Sequence, residues 1–156
     1  MRHPRDLFTP RMCAAVALGA IAGGVCGFAG VATFASGEMP GFFRLWVPIA
    51  SLLAGAIAIL YLRDCFGHPG LVGHFRAISG MIGAALLAMV VAGTLSLPVY
   101  GTMFGPLMAL TVLVAVPSVI VVWCLSLAVA HLLLRQERAA HRAARIRTEF
   151  GRETVS

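Results

Sequence analysis

The chain contains no lysine, and residues 77–134 contain no Asp, Glu, Lys or Arg at all. Those fifty-eight residues, drawn out as one helix at 1.5 Å per residue, would be ~87 Å long, against a hydrocarbon core of ~30 Å. The stretch must therefore fold back on itself. Charge is scarce elsewhere too: 12% of the 156 residues are charged and 60% are apolar, where soluble domains carry about 25% charged residues. A water-soluble fold could not hide that much apolar surface, so the bilayer has to act as the solvent.

Other absences narrow the function classes. The long apolar runs hold no carboxylate, which excludes the usual proton-coupled carrier, because an ionisable group at depth is the mark of such a pathway. Their only histidine is His131, near the end of the last run, so facing ligands for a haem between helices are missing. Of the four cysteines, Cys13, Cys26 and Cys124 fall within apolar runs and Cys65 in the loop between the second and third runs. None falls in an outward loop, which argues against a structural disulfide or an outer-face thiol oxidase. No metal, no cofactor, no catalytic residue and no enzyme activity are expected.

Four apolar runs satisfy the length rule for a membrane span: roughly residues 12–35, 45–62, 77–97 and 107–134. The last is longer than the bilayer needs, and Pro117 supplies a kink site. Residues 97–106, with two prolines and two glycines, read as the turn before it. A cleavable signal peptide would also start with a basic flank, and Thr33-Phe34-Ala35 resembles a cleavage site. The first run, at about 24 residues, exceeds the usual 7–15-residue apolar region of such a peptide, so it is read as a span.

Arginine placement predicts the orientation. Four spans put Arg2, Arg5, Arg11, Arg63, Arg76, Arg135, Arg138, Arg142, Arg145, Arg147 and Arg152 on one side and Arg44 alone on the other. By the positive-inside rule both termini are expected in the cytoplasm. The predicted fold is an all-α membrane protein. It is a four-helix transmembrane bundle over residues 1–134, N-in and C-in, with a cytoplasmic Arg-rich helical extension over residues 135–156. The expected location is the bacterial cytoplasmic (inner) membrane.

Small residues recur every fourth position in three of the runs. Ala15, Gly19, Gly23 and Gly27 do so in the first, Ala50, Ala54 and Ala58 in the second, and Gly80, Ala84, Ala88 and Ala92 in the third. That spacing keeps them on one helical face and lets backbones approach closely, which is how helices associate in lipid. These residues are the predicted packing faces, either closing the bundle or receiving a partner subunit. Phe42, Phe43 and Trp46 stand where an aromatic belt at the bilayer surface is expected.

Residues 63–76 form the densest polar cluster. Asp64, Cys65, His68 and His74 are metal-ligating residue types, but their spacing matches no strong zinc pattern. Arg63 and Arg76 flank glycines that could frame an anion or headgroup. The plain reading is a polar connector whose arginines set topology. Beyond the last run, Arg135, Arg138, Arg142 and Arg145 recur at helical spacing, a stripe suited to anionic lipid or an acidic partner. Nucleic acid is not an expected partner, since Glu137, Glu149 and Glu153 dilute the charge. The expected partners are the bilayer and other membrane subunits or further copies of the chain. The resulting expectation is a non-catalytic accessory subunit, assembly factor or scaffold of a membrane complex. The alternative is a small homo-oligomeric transporter or channel for a small solute.

Overall fold

The computed structural model describes residues 9–34 and 40–153, with side chains through residue 144. Five helices make up nearly all of it: α1 (Pro10–Phe34), α2 (Gly41–Leu62), α3 (Gly70–Ser96), α4 (Gly101–Ala115) and α5 (Ser118–Glu153). A 3-10 turn, Arg63–Cys65, follows α2. Four helical stretches are long and apolar enough to cross a membrane: Pro10–Phe34, Gly41–Cys65, Gly70–Ser96 and Ser118–Ala144.

The start of α1 is set by Thr9 and Pro10. The Thr9 hydroxyl accepts the backbone N–H of Met12 at 3.2 Å, capping the first turn. Pro10 then occupies the first helical position, where a missing N–H costs nothing. Pro48 lies inside α2, with its Cα against Gly27 of α1.

The fourth apolar run is divided, which differs from the single span expected over 107–134. Helix begins already at Gly101, within the residues read as a turn, and Pro106 lies inside it. The helix then stops at Val116, whose φ of −131° and ψ of 76° are not helical. Pro117 follows, and α5 restarts at Ser118. With 15 residues α4 is about 22 Å long, too short for a core of ~30 Å. The helix long and apolar enough to cross is α5, and α4 is a separate short helix.

The long helices are arranged as an arc. α1 packs on both α2 and α5, α2 packs on α3, and α3 carries α4; α3 and α5 scarcely touch. One edge of the bundle is thus open. The buried residues are mostly small: Ala15, Ala22, Ala50, Ala54, Ala58 and Ala84. Large residues such as Phe28, Leu45, Leu53 and Leu86 face outward. This inverts the soluble pattern and follows from having no hydrophobic gain between helices in lipid, where close backbone approach does the work instead.

Candidate functional site

Two regions contain the chain's distinctive side chains. The first is the basic end of the bundle, where Thr9, the loop after α2 and the middle of α5 meet. Phe66 is fully buried there, so the polar connector inserts one aromatic ring into the bundle while Asp64 and Pro69 stay exposed. Its ring stands edge-on to His131, with centroids 6.5 Å apart. His131 is 7% exposed, and its Nδ1 accepts the backbone N–H of Gly67 at 3.1 Å. That bond leaves the proton of a neutral imidazole on Nε2, a buried atom with no partner among the described residues. Gly67 needs its missing side chain: its φ is +81°, and a Cβ would sit 2.9 Å from the Leu134 backbone.

Arg138, about two turns beyond His131 on α5, joins the same loop. Its guanidinium donates to the Arg63 carbonyl at 3.3 Å and lies 3.8 Å from the Asp64 carboxylate. It also approaches His68 Nε2 at 2.9 Å. A guanidinium only donates, so a hydrogen bond from Arg138 requires the tautomer in which His68 Nε2 accepts and Nδ1 carries the proton. The Asp64 carbonyl, 3.0 Å from the same Nε2, could be served only by the other tautomer. His74 instead donates from Nδ1 to the Gly70 carbonyl at 2.8 Å. On the other side of α5, Thr9 donates to Glu137 Oε1 at 2.5 Å. Among the described residues no group of three or more His, Cys, Asp or Glu side chains is placed to hold a metal ion.

The second region is an apolar cavity of about 730 Å³ inside the open edge. Its walls include Gly27 of α1, Ala88 of α3, Gly105 and Val112 of α4, and Val119 and Trp123 of α5. Ser51 and Ser96 line it too, but no Asp, Glu, Lys, Arg or His does. The indole N–H of Trp123 is buried without a partner among the described residues. Trp46, the other tryptophan, donates to the Leu95 carbonyl at 2.8 Å and stacks on Phe42.

No protein-family model, curated protein or solved structure matches this chain.

The structure places the sequence-derived packing residues as follows. Ala15, Gly19, Gly23 and Gly27 are all buried on α1. Gly19 meets Gly55 and Ile59 of α2, Gly23 meets the Ser51 carbonyl and Gly55, and Gly27 meets Ser51 and Pro48. On α3, Gly80 lies against Cys65 and Phe66, Ala84 and Ala88 are buried, and Ala92 is half-buried. Arg135 and Arg142 are exposed, whereas Arg138 is partly buried and turned to the loop. Arg145 lies outside the residues whose side chains are described.

Two groups were missed. Gly55, the residue on α2 that α1 packs against, lies beside the alanine series and not in it. Gly93 of α3 packs on Gly101 and Gly105 of α4. The spacing Gly101-Thr-Met-Phe-Gly105 is itself a small-xxx-small signal, hidden because prolines on both sides made the segment read as a turn.

Proposed function

We propose that this chain is a non-catalytic component of a membrane complex, acting as an accessory subunit, assembly factor or scaffold. It would sit in the bacterial cytoplasmic membrane with both termini in the cytoplasm. The observation that supports this reading is the character of its interior. The large internal space has no ionisable acid or base beyond thiols, which gives no support to proton-coupled or acid–base chemistry inside the bundle. Thr94 and Thr111, two of the few hydroxyls that might have lined a polar path, bond to carbonyls of their own helices at 2.7 and 2.9 Å. In this reading Arg135 and Arg142, on the extension of α5, contact anionic headgroups or an acidic partner. Each such charge would contribute about 1 kcal/mol near the surface.

Extraction from native membranes in mild detergent, followed by mass spectrometry, tests the proposal. A membrane protein recovered in fixed ratio with the chain, and released when Arg135 and Arg142 are both changed to Gln, is the expected result. Recovery of the chain alone under every extraction condition would count against it. The second reading, a homo-oligomeric transporter or channel, draws on the open edge between α3 and α5, which another copy could close. Solute flux into liposomes containing the purified chain alone would favour it.

A further inference from the structure

His131 stands where the loop after α2, the start of α3 and α5 meet. The Gly67 N–H reaches its Nδ1 at 3.1 Å, and the His74 ring lies 6.0 Å from its own. The loop is also seated there by fit. Phe66 is fully buried, and Gly67, at a φ of +81°, is pressed against the Leu134 backbone. A backbone N–H only donates, so the bond to Nδ1 is made by the lone pair of a neutral imidazole.

Three histidines lie in this region, and a proton affects each differently. His74 already donates from Nδ1 to the Gly70 carbonyl at 2.8 Å, so a second proton on Nε2 leaves that bond in place. His68 Nε2 lies 2.9 Å from the Arg138 guanidinium and 3.0 Å from the Asp64 carbonyl, and a charged His68 can still donate to the carbonyl. His131 has no such option. Its free proton site is Nδ1, and a proton there sets two donors, Nδ1–H and the Gly67 N–H, against each other.

The surroundings do not favour the resulting cation. The groups whose charges act on His131 are His68 of the loop, His74 of α3, and Arg135 and Arg138 of α5, and all of them are bases. α1 brings Arg11 and Cys13 to this end, and both are exposed. Of the two carboxylates, Asp64 is paired with Arg138, and Glu137 accepts from Thr9 on the other side of α5. His131 is 7% exposed, so little water can stand in, and a buried charge without a partner is costly. The neutral arrangement is itself weakened by Nε2, a buried atom with no partner among the described residues.

We propose that His131 is a pH-sensitive latch. The loop of residues 63–69 is held on α5 while the imidazole is neutral, and protonation expels the charged ring toward solvent at the basic end and releases the loop. α5 then keeps its packing on α1 but loses its tie to the loop that leads into α3. Histidine suits this role because its charge changes near neutral pH. The device is independent of whether the protein belongs to a larger complex.

Hydrogen exchange across residues 63–69 of the full chain in lipid nanodiscs tests the latch. Rates are taken relative to an unstructured peptide of the same sequence, which removes the intrinsic effect of pH. Between about pH 8 and about pH 5, relative exchange in the loop should rise by about tenfold per pH unit below the midpoint, the slope of a one-proton event, while the buried face of α1 stays protected. His68→Gln and His74→Gln should keep this rise. His131→Asn, which retains an acceptor and cannot take the proton, should abolish it. Loop protection that does not change with pH in the parent chain, or a rise that survives in His131→Asn, would overturn the proposal. If His131→Asn does not fold, the imidazole nitrogen chemical shifts of the unsubstituted chain decide by NMR. Protonation of His131 at Nδ1 over the pH range in which the loop opens supports the latch. A His131 that stays neutral while the loop opens, or that charges while the loop stays protected, overturns it.

Discussion

Gly67 donates its backbone N–H to Nδ1 of His131 over 3.1 Å, joining the loop after α2 to α5 across 64 residues of sequence. The bond is buried, and it is made at the end of the open edge, where α3 and α5 come together through the loop, Phe66 and the ring of His74, 6.0 Å from that of His131. The geometry gives His131 a structural task, since its acceptor nitrogen satisfies an amide that no other described group reaches.

Replacing His131 with Leu should destabilise the basic end by about 1–3 kcal/mol, because a buried amide is left without an acceptor. His131→Asn keeps an acceptor close to the Nδ1 position and should lose less. Unfolding in detergent, followed by circular dichroism against denaturant, measures both. If the two variants unfold at the same point as the parent chain, the bond contributes nothing to stability.

Gly23→Leu should sharply lower folded yield, while Leu53→Ala should not. A Cβ at Gly23 overlaps the Ser51 carbonyl, which is backbone and cannot rotate away. Separating α1 from α2 costs more than the 1–3 kcal/mol typical of overpacking a core. Leu53 is 44% exposed on the lipid-facing side of α2, where lost methyl groups forfeit little, because lipid is as apolar as the side chain. The monodisperse fraction in detergent reports the outcome, and equal fractions for the two variants would contradict the packing account.

Arg138→Gln should loosen residues 63–69 without unfolding the helices. It removes the approach to Asp64 and His68 and the bond to the Arg63 carbonyl. The ion pair is partly exposed, so a loss of about 1 kcal/mol is expected. Hydrogen exchange across the loop should quicken in this variant and stay unchanged in Arg142→Gln, whose side chain is exposed. A loop equally protected in both would mean that Arg138 does not hold it.

Reporter fusions after His68, Met103 and the C-terminus test the orientation. The arginine asymmetry predicts a cytoplasmic signal at His68 and at the C-terminus and an external signal at Met103. An external signal at His68 would reverse the proposed topology.

Much of the architecture was legible because it is written locally. An apolar run of sufficient length states its solvent, and Gly19, Gly23 and Gly27 state a close-packed face through their spacing alone. Arg63, Arg76 and Arg135 mark where runs end, since charge at depth is costly in any fold. The chemistry of the candidate region was less legible. His68 is more than sixty residues from His131 and Arg138 in sequence, and a single residue type in an apolar run does not say what faces it.

From the sequence alone came the helical class, the four long apolar helices and the small-residue face of α1, all consequences of composition and period. Only the tertiary structure decided that α4 is a helix of its own. Hydropathy is the same for a segment that crosses the core and for one that lies against its neighbour, and the difference rests on Gly101 and Gly105 finding Gly93. Only the tertiary structure turned Arg138 from a surface stripe toward Asp64 and His68, and buried the Phe66 ring. The open α3–α5 edge and its cavity are likewise properties of the assembled helices, because a space between elements is encoded in none of them singly.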